Sequence, residues 1–230
     1  MTSSPTAERT IAYALLGMTM VTGLVDAVSF LSLGRVFTAN MTGNVVILAF
    51  ATVRVPGLSI THSSTALLSF LVGAILGGRI MARAGVDSQI RFAAQAFLLE
   101  VVFLLAASLC AIGYRSDLLE HSFQPFALIA LTALAMGTRN AAVRKLAIPD
   151  LTTTVLTLTI TGIGADSSIA NGDNPRLARR VTSVVAMFLG AALGAVIIRY
   201  SISAALWLGT AISTLCSAAL FRTFRTANKL

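Results

Sequence analysis

Three ionisable side chains stand where an apolar sequence should have none. Asp26 lies well inside the run Ile11 to Leu33, Glu100 near the middle of Phe92 to Gly113, and Arg139 within Phe126 to Val143, where Asn140 follows it. A charged side chain at the centre of a membrane helix costs about 2.5–3.5 kcal/mol on insertion scales, so such residues tend to mark ion or solute paths. Asp26 suits a cation or a proton and Arg139 suits an anion. Glu100 is a candidate proton carrier in a coupled cycle. Each also has a structural reading as half of a buried ion pair, with Arg139 or Arg144 as candidate partners for Glu100.

A second set of candidates is uncharged. Thr38 and Thr42, and Asn40 and Asn44, are spaced i, i+4, which puts each pair on one face if the segment is helical. Thr153, Thr157 and Thr161 form a matching ladder. Hydroxyls and amides on one face can coordinate a solute or a stripped ion without carrying charge. Their structural alternative is hydrogen bonding between helices, worth about 0.6 kcal/mol on average in membranes.

What has to position these residues is a membrane bundle. Of the 230 residues, 56% are hydrophobic and 11% charged, with a mean hydropathy of +0.85. Soluble domains carry about 25% charged residues, so a soluble fold lacks the polar surface it needs. The net charge of +8 comes from basic residues at the ends of apolar runs. It reads as topology and headgroup contact, not as nucleic-acid binding. Cys110 and Cys216 lie in apolar runs and read as packing residues. No metal site, cofactor motif or enzyme constellation stands out.

A spanning helix needs about 20 mostly apolar residues. Six stretches qualify, beginning near Ile11, Ser63, Phe92, Phe126, Val181 and Ile202. Two shorter, more polar stretches, Val36 to Val53 and Leu151 to Ala165, sit between them. Arg79, Arg83 and Arg91, then Arg144, Lys145, Arg176, Arg179 and Arg180, then Arg222, Arg225 and Lys229 mark three cytoplasmic regions. Arg35 and Arg199 are single exceptions at outer ends. This pattern is best satisfied when neither polar stretch crosses, which makes both re-entrant or broken helices, with Gly34, Gly43 and Pro149 as natural break points.

The chain also repeats itself. Gly23 recurs as Gly137, Thr42 as Thr157 and Gly77 as Gly194, at spacings of 114, 115 and 117 residues. Asp26 then corresponds to Asn140. Three crossings per half place the halves in opposite orientations. The expected fold is therefore all-α: a polytopic bundle of about six transmembrane helices, arranged as a 3+3 inverted repeat with two polar re-entrant or broken helices. Residues 1–10 form a cytoplasmic tail, 11–115 the first three-helix repeat and 124–223 the second. Gly73-x-x-x-Gly77 and Gly190-x-x-x-Gly194 are expected to cross each other within the chain.

The run Gly23-Leu24-Val25-Asp26-Ala27-Val28-Ser29-Phe30, followed by Phe37-Thr38-Ala39-Asn40-Met41-Thr42-Gly43-Asn44, resembles the YoaK family, also called DUF1275. Met136 to Arg144 and Thr152 to Thr157 resemble its second-half signature, with Arg139 where the family pattern implies glutamine. The resemblance covers nearly the whole chain and implies a multi-pass protein of the bacterial inner membrane. Inverted repeats built on discontinuous helices are common among secondary transporters. The expected function is a small secondary transporter, with a channel as its close variant, for a small solute or ion. Its expected site comprises Asp26, Thr38, Asn40, Thr42, Asn44, Arg139, Asn140, Thr153 and Thr157, with Glu100 coupling protons. Both termini are expected in the cytoplasm. The lipid bilayer is the expected partner, and a homo-oligomer is compatible with the sequence. The alternative is a non-transporting interaction or signalling subunit.

Overall fold

The computed structural model describes residues 5–84, 89–114, 123–146 and 156–227. Among them are eight α-helices, one short 3-10 turn at Ser168–Ala170, and no strand. The helices are α1 (Pro5–Ser32), α2 (Met41–Thr52), α3 (Ile60–Ala82), α4 (Gln89–Cys110), α5 (Gln124–Leu146), α6 (Leu156–Ala165), α7 (Leu177–Ile198) and α8 (Ile202–Ala227). Six of them, all but α2 and α6, are long and apolar enough to cross a bilayer. At 1.5 Å per residue, the 12 residues of α2 span about 18 Å and the 10 of α6 about 15 Å. Both fall short of the roughly 30 Å hydrocarbon core.

Helix directions follow from contacts along each pair. On α3, Gly73 backs onto Leu134 and Gly77 onto Thr138 of α5, so the two helices run parallel. Gly190 and Gly194 of α7 back onto Met20 and Leu24 of α1 in the same way. Helices α4 and α5 run antiparallel, joined by Arg139–Glu100 at one level and by Gln124 Nε2 donating to Cys110 O at another (2.6 Å). Helix α8 is antiparallel to α4, through Ser213–Glu100 and Ser108–Thr210. It is also antiparallel to α1, through Gly17 beside Cys216 and Gly209 beside Leu24. It follows that α1 and α3 point opposite ways, as do α5 and α7. The end of α1 and the start of α3 lie at one end of the bundle, and α2 leaves from and returns to that end. Helix α6 does the same at the other.

Packing pairs the halves in a specific manner. Helix α3 packs on α5 as α7 packs on α1, α4 packs on α5 as α8 packs on α1, and α2 lies on α3 as α6 lies on α7. Each half thus hands its first helix to the other. Burial follows: 67% of the apolar stretch of α1 and 61% of that of α5 are buried, against 22% and 17% for α3 and α7. The two GxxxG stretches were expected to cross each other. Instead Gly73/Gly77 pack on α5 and Gly190/Gly194 on α1, because the exchanged first helices lie between them.

With these directions, Arg9, Arg79, Arg83, Arg91, Arg144, Lys145, Arg176, Arg179, Arg180 and Arg222 all belong to one end of the bundle. Among the described residues only Arg35, Arg54 and Arg199 belong to the other. At the basic end Arg180 holds α6 against α7. It donates to Gly162 O (2.6 Å) and pairs with Asp166 (2.7 Å).

Candidate functional site

Asp26 is the clearest product of the fold. It lies six residues before the end of α1, about 9 Å short of it along the axis. After α1 the chain turns at Gly34 (φ +90°), a left-handed conformation suited to glycine. It then folds back until it reaches the level of Asp26. There the Thr38 and Ala39 amides donate to Asp26 Oδ1 at 3.0 and 2.9 Å. Helix α2 starts two residues later, with Asn40 as its N-cap accepting from the Gly43 amide (3.4 Å). A carboxylate next to a helix N-terminus is favoured by the exposed amides and by the helix dipole. Asn44 closes the turn by accepting from the Phe37 amide (2.8 Å) and donating to Phe37 O.

This arrangement corrects the i, i+4 expectation for the first polar segment. Thr38 and Asn40 precede α2 and do not share a helical face with Thr42 and Asn44. The acceptors on Asp26 and Asn44 draw the 37–39 backbone out of helical form. Gly43 lies in the first turn of α2, not at a break. Thr42 is exposed on α2, whereas Thr38 and Asn44 are buried. In the second polar segment Thr157 and Thr161 are exposed and it is Thr159 that faces inward. Thr153 and Pro149 lie outside the described residues.

Asp26 is 5% exposed, yet it lines an open cleft of about 330 Å³ between α1, the turn before α2, and α7. Phe30, Phe37, Asn40, Met187 and Ala191 share its wall. The Phe30 and Phe37 rings stack at 4.9 Å and 18°. Two buried oxygens, Asp26 Oδ2 and the Oγ1 of Thr38, a residue that does not line the cleft, have no hydrogen-bond partner. A buried polar atom left unpaired costs about 1–3 kcal/mol, so their persistence calls for an explanation.

Arg139 and Glu100 are elsewhere. They form a salt bridge (3.0 Å) at 0% exposure, where α1, α4, α5 and α8 meet. Arg139 Nη1 also donates to Met18 O (3.0 Å) and Nη2 to Thr22 Oγ1 (2.6 Å). Ser213 Oγ donates to Glu100 Oε1 (3.1 Å). The structure thus selects Arg139 over Arg144 as the partner of Glu100, and neither residue lines the cleft. Asn140, which follows Arg139 in sequence, is buried on α5. Thr22 and Ser213 were not among the sequence candidates. A signal for Ser213 did exist: Thr210, Ser213 and Ser217 are spaced i, i+3, i+7 within the apolar stretch of α8, and all three are buried.

The two acceptor bonds give a first prediction. Asp26→Ala leaves the Thr38 and Ala39 amides unpaired and is expected to destabilise the protein by about 2 kcal/mol. Asp26→Asn keeps an acceptor oxygen and is expected to fall well short of that loss. Thermal unfolding of the purified variants in detergent compares them directly.

The family profile described as "Protein of unknown function (DUF1275)" matches residues 14–219. The "UPF0700 transmembrane protein YoaK" of Bacillus subtilis (strain 168) is 35% identical over 149 residues. That similarity spans 65% of this chain and 64% of the relative, just under two thirds of its length. No solved structure matches the chain.

Proposed function

This chain belongs to the DUF1275 family, and from that premise we propose that it is a small secondary transporter, not an enzyme, of the bacterial inner membrane. The observation that carries the reading is Asp26. It is a buried carboxylate at the N-terminus of a helix too short to span, with one oxygen unpaired and a cleft at its side. Discontinuous helices whose termini meet a solute inside the bilayer are the recurring site of secondary transporters.

The architecture we propose is an inverted repeat in which α1–α4 and α5–α8 are equivalent. Its support is the matched packing of the halves, the opposed directions of α1 and α5, and glycine contacts that recur in register. Segments 33–52 and 156–165 are re-entrant in this reading, supported by their length and by the shared end of the helices that flank them. The cation-rich end is cytoplasmic, which places both termini inside. Alternating access moves α1 and α7 relative to α2 and opens and closes the cleft.

One observation favours the second reading, a non-transporting interaction or signalling subunit. The crossing point of the four central helices is closed to solvent access, with Arg139 and Glu100 wholly buried. A carrier must route its solute past that plug.

Proteoliposomes decide between the two. Vesicles with a trapped pH dye are given gradients of sodium, potassium, ammonium and small-amine chlorides and of the sodium salts of small organic anions. The expected result is solute-dependent flux in the wild type that falls to the empty-vesicle level in Asp26→Asn. Wild-type vesicles indistinguishable from empty ones across the whole set would remove the transport reading.

A further inference from the structure

We propose that the Asp26 cleft binds a small protonated amine with an apolar body; the assignment of a substrate class to it rests on the transport reading above. The charge comes first. Arg139, whose guanidinium is buried in the bundle interior, already faces Glu100 at 3.0 Å. Among the described residues that line the cleft Asp26 alone is ionisable, and it gives the site its negative charge. An anion has no partner there.

The acceptors come next. Asp26 Oδ2 and Thr38 Oγ1 are both buried and unpaired, on residues tied together by the bond from the Thr38 amide to Asp26 Oδ1. The Asn40 and Asn44 side-chain oxygens are already engaged by the Gly43 and Phe37 amides. Two oxygens do not make a shell for calcium, which takes six to eight, or for magnesium with its octahedral demand. Of these two residues Asp26 lines the cleft, and an ammonium group, with three donors in a small volume, suits its unpaired oxygen.

The walls supply the rest. Phe30, Phe37, Met187 and Ala191 offer an aromatic and aliphatic surface beside the carboxylate. Aromatic faces attract cations, most strongly when water is excluded. A cleft of about 330 Å³ lies at the small end of ligand pockets. Because Asp26 is only 5% exposed, the head group enters as a side chain on this wall rotates, and the stacked Phe30 and Phe37 rings stand there.

The test uses the full chain in phosphatidylcholine–phosphatidylglycerol nanodiscs, with benzylammonium chloride as the probe. Benzyl alcohol, sodium benzoate and tetramethylammonium chloride are the comparators. Calorimetry and thermal unfolding are expected to show saturable binding of benzylammonium and none of comparable strength for the neutral, anionic or donor-free compounds. Asp26→Asn is expected to weaken it at least about tenfold, equivalent to about 1.4 kcal/mol. Ala195→Phe, which fills the cleft without touching the Asp26 bonds, is expected to abolish it and guards against a folding defect in the first variant. Equal binding of benzyl alcohol, or unchanged affinity in Asp26→Asn, would overturn the amine site. Flux is read separately. Amine binding without any flux refutes the carrier and leaves this site standing, whereas Asp26-dependent flux of an anion refutes the amine site and leaves the carrier standing.

Discussion

Arg139→Leu is expected to cost the protein about 3–5 kcal/mol, the typical penalty for removing one member of a buried ion pair. Glu100 would keep Ser213 as its hydrogen-bond partner but lose the guanidinium, at a point with no exposure to water. Four helices meet at this cluster, so the damage reaches α1, α4, α5 and α8 together. The Met18 carbonyl and the Thr22 hydroxyl would lose donors as well. Glu100→Leu is expected to be comparably harmful, because it strands the arginine. The double variant Arg139→Met, Glu100→Leu behaves differently. Well-packed apolar replacements of a buried pair are often neutral or stabilising, so its unfolding midpoint in detergent should return close to the wild type. A double variant as unstable as either single one would show that the cluster does more than compensate its own charges.

The second large effect concerns glycines whose absent side chains make room for another helix's backbone. A Cβ at Gly23 would run into Met187 O, at Gly137 into Phe70 O, at Gly73 into Leu134 O and at Gly190 into Met20 O. The obstacle in each case is a carbonyl, which no rotamer change removes, so the helices must separate. Overpacking generally costs about 1–3 kcal/mol and occasionally more. Alanine at these four positions belongs at the upper end, and valine is expected to prevent accumulation of folded protein. Gly194→Ala should be milder, since the nearest backbone atom, Leu24 O, is 3.0 Å away. Gly78→Ala meets nothing within 4 Å and should be neutral or slightly stabilising. The graded order is checked by thermal unfolding across the series. Gly23→Ala should match Gly137→Ala, and Gly73→Ala should match Gly190→Ala. Uniform losses across all six variants would contradict the close crossings.

Much of the site was legible because hydrocarbon makes polar residues conspicuous. Asp26 and Glu100 stand out in apolar runs whatever the fold. What failed was the geometry of the polar segments. The spacing of Thr38 and Thr42 suggests one helical face, but a helix forms only where its amides have no better acceptor. Asp26 and Asn44 offer acceptors from outside the segment, and α2 begins at Met41 in consequence. The threonine ladder of the second segment misled for a related reason. Periodicity defines a stripe but not the direction it faces, and Thr159 points inward where Thr157 and Thr161 do not.

The sequence by itself determined the solvent, the number of crossings and the end at which the cations gather. Each depends on composition along the chain, and the bilayer imposes the same length and hydropathy on any helix that spans it. Tertiary structure decided which helices touch. In a membrane every apolar face is equally content with lipid, so hydropathy holds no information about partners. Contact instead depends on where backbones can approach and where buried charges can be neutralised. Those requirements sent α1 to α7 and α8, sent α5 to α3 and α4, matched Arg139 with Glu100, and left Asp26 on the cleft wall with one oxygen unpaired.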